Sequence, residues 1–291
     1  MSPDFTHGPE RSWDEMRAGW IEQRDVGAVV ALLALGVAVF GTGCAGSSGV
    51  AARPTPQAPK TSASLPPSPS PIPGQFQDGC DKPDPSIRSI TFSASDGQML
   101  VGALFGTGHV GVILAHQSDG GACRWVPFAR ILAQHGYMAL PFYFRGYGPS
   151  LAPVKEHTDL DLVGAAAELR RQGATRVVLI GASLGGAAVL VAGKQIPSAS
   201  VIISVSAPAV FGDLDAATAA QTLDVPVLFL ASKQDQPFGG DAQTLFAERH
   251  RPGDRIVLYP GYLHGIDLVE GPMGAQVRAL MLSFIRSHTG S

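Results

Sequence analysis

Residues 176 to 190, Arg-Val-Val-Leu-Ile-Gly-Ala-Ser-Leu-Gly-Gly-Ala-Ala-Val-Leu, leave the backbone one simple path. Positions 177 to 180 form a short apolar run with β-branched residues, suited to a buried strand. From 184 to 194 the chain is rich in Ala, Leu and Val and reads as a helix. Between them Gly181-Ala182-Ser183-Leu184-Gly185 must turn strand into helix within a few residues. So tight a turn strains the serine backbone. Glycines two residues to either side remove the side chains that would collide. The hydroxyl of Ser183 is then expected at the carboxyl end of a strand, beside a helix amino end.

Taken alone, G-x-S-x-G is a weak signal. With 35 glycines and 23 serines in 291 residues, a shuffled chain would contain it about 0.3 times. Its meaning depends on the rest of the chain.

Residues 26 to 40 are uncharged and apolar. The run is shorter than a membrane span of about 20 residues and has the length of a signal-peptide hydrophobic region. Arg11, Arg17 and Arg24 precede it, although Glu22 and Asp25 dilute their charge, and Met16 offers an alternative start. We read 1–43 as a signal peptide, with its n-region at 1–25 and its apolar region at 26–40. Gly41-Thr-Gly-Cys44 resembles the lipobox of bacterial lipoprotein precursors, with glycine where leucine is usual. The resemblance implies lipidation of Cys44; ordinary cleavage near residues 50–52 and an uncleaved anchor are the alternatives. Each places the remainder outside the cytoplasm, either on the outer side of the cell membrane or secreted. Residues 44–80 are rich in Pro, Ser and Ala, a composition that cannot bury a core and favours an extended linker. Cys80 and Cys123 remain. In an oxidising compartment they are expected to form a disulfide, with two separate buried thiols as the alternative.

From residue 81 to 291 the pattern is that of one folded domain. A hairpin (87–93 and 99–105) precedes a continuous apolar strand at 110–115. A helix at 125–135, a strand at 137–142 and a helix at 158–171 follow. After the 176–190 stretch come strands at 200–205, 225–230 and 255–259, and helices at 242–249 and 274–288. Alternating strands and helices predict an α/β fold: a mostly parallel sheet, helices on both faces, and an antiparallel leading hairpin.

This order, with G-x-S-x-G after the fifth strand, resembles the α/β-hydrolase superfamily, in particular esterases and the dienelactone-hydrolase-like branch with a serine nucleophile. His116-Gln117-Ser118 stands where relatives carry an H-G-x oxyanion loop. Residues 144–150, Phe-Arg-Gly-Tyr-Gly-Pro-Ser, resemble the R-G-x-G-x-S loop after the fourth strand, with Tyr143 where an acidic residue is frequent. The resemblance implies a serine hydrolase acting on carboxylic esters through an acyl-enzyme. Acyl transfer needs a nucleophile, a base, a group that orients the base, and oxyanion donors. The nucleophile is Ser183. Of the histidines downstream, His264 lies in a glycine-flanked loop directly after the last strand; His250 and His288 sit at helix ends. Asp235 follows the strand at 225–230 and is the expected acid, with Asp213 and Asp267 as rivals. The oxyanion donors are expected to be the N–H of Leu184 and that of Ser118 or Gln117, with His116 bracing the loop.

Other chemistries leave no such pattern. There is no HExxH, no paired CxxC and no GxGxxG after a strand, so no cofactor or metal is implied. A formal charge of −3 without a basic patch argues against nucleic acid. Amide, peptide, thioester or lactone hydrolysis, and a non-catalytic surface binding protein, remain as alternatives. The short interval at 207–224 favours an open site and small or exposed ester substrates. Trp125, Tyr143, Tyr147 and Tyr262 are candidates either to line it or to join the core.

Overall fold

The computed structural model describes residues 74–249 and 251–290. The expected signal segment, Cys44, the linker as far as residue 73, and His250 lie outside the described residues.

The strands are β1 (Ser89–Ser93), β2 (Met99–Ala103), β3 (Val110–Ala115), β4 (Met138–Tyr143), β5 (Arg176–Ala182), β6 (Ala199–Val205), β7 (Val210–Phe211), β8 (Leu214–Asp215), β9 (Val227–Ser232) and β10 (Arg255–Tyr259). Eight of them form one sheet in the order β1-β2-β4-β3-β5-β6-β9-β10, while β7 and β8 pair separately. Only β2 runs against its neighbours; the other pairings of the large sheet are parallel. The mostly parallel sheet with an antiparallel start is therefore present. Within it, β5 is the fifth strand and β9 the seventh.

Among the described residues the α-helices are α1 (Val126–Gln134), α2 (Thr158–Arg171), α3 (Leu184–Ala192), α4 (Ala216–Thr222), α5 (Phe238–Ala247), α6 (Ile266–Glu270) and α7 (Gly274–Thr289). Strand alternation divides the core between the two faces of the sheet. Ile113, Leu140 and Leu179 face α2 and α3, packing with Leu162, Leu169 and Val189. Val112, Leu114, Val178 and Ile180 face α1 and α7, packing with Phe128, Leu132, Met281 and Ile285. Every residue of β3, β4 and β9 is buried, which is why these strands read as unbroken apolar runs rather than alternating ones.

Three segments differ from the sequence reading. α5 begins at Phe238, four residues before the expected 242. Gly239 sits close to the carbonyls of Ser232 and Lys233, so it serves close packing inside a helix. The interval at 207–224 holds the β7–β8 hairpin and α4. The folded part also starts upstream of residue 81. A 3-10 turn at Phe76–Gly79 places Phe76 in a buried cluster with Ile87, Val101, Ala122 and Tyr143.

Cys80 and Cys123 are joined in a disulfide, with Cα atoms 5.5 Å apart and a separation of 43 positions in sequence. The Tyr143 hydroxyl donates to Cys123 Sγ at 2.8 Å, and burial pushes its pKa up to about 12, so it remains a donor. A loop of this size corresponds to about 4 kcal/mol of lost chain entropy in the unfolded state. Replacing both cysteines with serine is expected to lower the urea-unfolding free energy by about 2–4 kcal/mol. An unchanged midpoint would refute that contribution.

Candidate active site

Ser183 adopts φ 50° and ψ −116°, a conformation that costs a non-glycine residue on the order of 1–3 kcal/mol. The surroundings hold it there. Its N–H donates to the Val205 carbonyl on β6 at 2.8 Å, and its carbonyl accepts from Ala187 N–H at 3.0 Å. The flanking glycines are sterically required. A Cβ on Gly181 would run into the Gly185 carbonyl, and one on Gly185 into the carbonyls of Ala115 and His116. Gly185 thereby brings the start of α3 against the end of β3. The first N–H groups of α3 have no partner within the helix, and the helix dipole places partial positive charge beside Ser183.

His264 and Asp235 meet at 2.8 Å, Nδ1 to Oδ2. With its Nδ1 proton on the carboxylate, a neutral His264 imidazole has Nε2 free to accept a proton. Asp235 is 8 % exposed, and the ring of Phe238 lies 4.2 Å from that of His264, centroid to centroid. The loops that carry Asp235 and His264 are laced together. Ser232 Oγ donates to the Leu263 carbonyl at 2.7 Å, Gln234 N–H to the Gly261 carbonyl at 3.1 Å, and Gly261 N–H to Gln234 Oε1 at 2.6 Å. The His264 loop also lies against the serine turn: a Cβ on Gly265 would stand 3.5 Å from that of Ala182.

The rival acids are engaged elsewhere. Asp213 Oδ2 accepts the backbone N–H of His157 at 2.9 Å, and Asp267 pairs with Arg124. His157, Asp159 and Asp213 bring ligand atoms within 4.8 Å of one another, but Asp159 is also bonded to Gln195 and the group is largely exposed. His288 bonds to the Phe284 carbonyl within α7.

His116 is fully buried in the fold. Phe144 N–H can only donate, so His116 Nε2, 3.1 Å away, is the accepting nitrogen. Nδ1 therefore carries the proton and donates to the Gln117 carbonyl at 2.6 Å. That bond orients the next peptide. The Gln117 carbonyl and the Ser118 N–H point to opposite sides of one planar trans peptide, so the Ser118 N–H is turned away from the imidazole. Burial lowers the pKa of His116 from 6.5 to about 4. In the unfolded chain the ring titrates near its ordinary value, so on acidification the unfolded state takes up the proton first. Stability from the neutral ring is complete above about pH 6.5 and is lost as pH falls toward 4. Between pH 7 and pH 4.5 the wild type is expected to lose about 2 kcal/mol more than His116→Gln in urea titrations; equal losses would refute the assignment.

Arg145, in the loop after β4, binds Asp96 through Nη1 and Nη2 at 2.7 and 2.9 Å and Asp161 through Nε at 2.8 Å. These two carboxylates balance the guanidinium charge. Trp125 and Tyr143 are core residues. The Tyr147 ring packs on His116 and under the Lys155 ammonium, while Tyr262 is 77 % exposed. Sequence reading missed Ser232 and the side chain of Gln117. A polar residue closing the otherwise apolar β9 was the available signal for Ser232.

This strand order, with a strained serine between β5 and α3, is the α/β-hydrolase fold. Solved structures share it. An esterase of Pyrococcus furiosus superposes with a TM-score of 0.61 at 14% identity, over 70% of this chain and 91% of that one. A dienelactone hydrolase of Anabaena variabilis gives 0.57 at 22% identity, over 70% and 98%. A monoacylglycerol lipase of Paleococcus ferrophilus gives 0.56 at 17% identity, over 65% and 99%. No family model and no curated protein matches the sequence.

Proposed function

We propose that this chain is a serine hydrolase that cleaves carboxylic esters through an acyl-enzyme. The observation that carries this reading is the His264–Asp235 bond, on a loop packed against the strained turn of Ser183. The fold shared with proteins named esterase, dienelactone hydrolase and monoacylglycerol lipase supports it.

In this mechanism Ser183 Oγ attacks the ester carbonyl carbon and its proton passes to His264 Nε2. Asp235 holds the tautomer and stabilises the imidazolium. The tetrahedral oxyanion is received by the N–H of Leu184 and of Ser118. Nε2 then protonates the leaving alkoxide, which departs as the alcohol. A water, deprotonated by the same nitrogen, attacks the acyl-enzyme; the bond to Ser183 Oγ breaks, Nε2 returns its proton to that oxygen, and the acid is released. The test is hydrolysis of a p-nitrophenyl ester series together with labelling of Ser183 by a fluorophosphonate. A folded protein that does neither would end this reading.

The same proposal places the enzyme outside the cytoplasm, held to the membrane by a lipid on Cys44 through the linker that follows. The Cys80–Cys123 disulfide fits an oxidising compartment. The mass of the mature amino terminus decides this: an unmodified Met1 or Met16 would overturn export.

A further inference from the structure

The loop after β3 and the loop carrying His264 are joined by a side chain bridging 149 residues of sequence. Gln117 is 3 % exposed, and both ends of its amide are bonded. Oε1 accepts the backbone N–H of Ile266 at 2.8 Å, and Nε2 donates to Asp119 Oδ1 at 2.6 Å. These partners determine the amide orientation, since an N–H can only donate and an ionised carboxylate can only accept. Ile266 opens α6, so its N–H is one of the donors that a helix leaves without a partner. Gly265 makes room for the contact: its φ is +53°, and a Cβ there would collide with Gln117 Oε1. His264 is thus bracketed. Ser232 holds the Leu263 carbonyl on one side, and Gln117 holds the Ile266 N–H on the other.

We propose that the Gln117 side chain is a positioning residue, coupling the oxyanion-binding loop at 116–119 to the imidazole of His264; this rests on the ester-hydrolase reading above. The transition state needs the oxyanion donor and the base at their correct distances at once, whereas the substrate complex does not. Such constellations lose activity when their supports loosen by about 1 Å. Removing the tie leaves each loop its own anchors but frees their mutual register, so kcat suffers and KM does not.

Gln117→Leu removes both bonds at similar volume. Its kcat is expected to fall about 10- to 100-fold, with KM within about 3-fold. Gln117→Glu keeps the acceptor for Ile266 but sets a second carboxylate beside Asp119, and is also expected to lose activity. Combining Gln117→Glu with Asp119→Asn restores the connection with reversed polarity, because the carboxylate then accepts from Ile266 N–H and from the new amide. The double variant is expected to regain most of the kcat. Thermal melts run alongside. A Gln117→Leu protein with lowered Tm but wild-type kcat would show a purely structural role and overturn the coupling. Should that variant not fold, the pair decides: a double variant no better than Gln117→Glu overturns it equally. Wild type that fluorophosphonate does not label sinks the hydrolase reading and this inference together. Labelled, active wild type beside an unimpaired Gln117→Leu sinks only the inference.

Discussion

Ser183→Ala is expected to reduce kcat for p-nitrophenyl ester hydrolysis by on the order of 10⁵-fold and to abolish fluorophosphonate labelling, with the fold intact. The change removes the only protein atom in the proposed mechanism that bonds to the acyl carbon. Residual turnover would come from the oxyanion donors and binding alone. The fold should tolerate it, since the backbone bonds that hold this turn, to Val205 and Ala187, do not involve the side chain. Ala carries the same Cβ as Ser, so the strain at φ 50° is unchanged. A melting temperature within a few degrees of wild type is therefore part of the prediction. Undiminished hydrolysis by the variant would remove Ser183 from the chemistry.

The second large effect is at the acid. Asp235→Asn should lower kcat about 10⁴-fold at neutral pH while leaving KM nearly unchanged. Asp235 Oδ2 accepts from His264 Nδ1 at 2.8 Å, which keeps the proton on Nδ1 and leaves Nε2 basic. An asparagine amide can present its NH2 group instead, which favours the tautomer with the proton on Nε2 and blocks deprotonation of Ser183. The remaining ties between the acid and base loops, Ser232 to Leu263 and Gln234 to Gly261, survive the change, so the loop should keep its place. The measurement is kcat and KM by titration with one ester, checked by circular dichroism. A folded variant within tenfold of wild type would reassign the acid.

The parts legible in sequence have a local cause. The β5–α3 turn was readable because steric demand at Ser183 places glycine at 181 and 185, a spacing set by neighbours in the chain. β3, β5 and α2 were readable because burial on both faces of a strand leaves a continuous apolar run, and burial of one helical face leaves a period. α5 starts four residues before the expected 242, at a stretch where Gly239 and Gly240 are poor helix formers. The reason for Gly239 lies in the carbonyls of Ser232 and Lys233, which lie outside the helix.

The sequence by itself determined the alternation of strands and helices, the turn at Ser183, and the order in which a serine, an acid loop and a histidine loop follow one another. These rest on sterics and on burial of adjacent residues, which composition and period record. Only the tertiary structure decided that Asp235, rather than Asp213 or Asp267, meets His264, that His116 is held neutral, and that Gln117 ties two distant loops. Each is a hydrogen bond or burial imposed by elements far apart in the chain. Its partner is selected by how the sheet brings strand ends together, and that leaves no spacing or periodicity in the sequence to read.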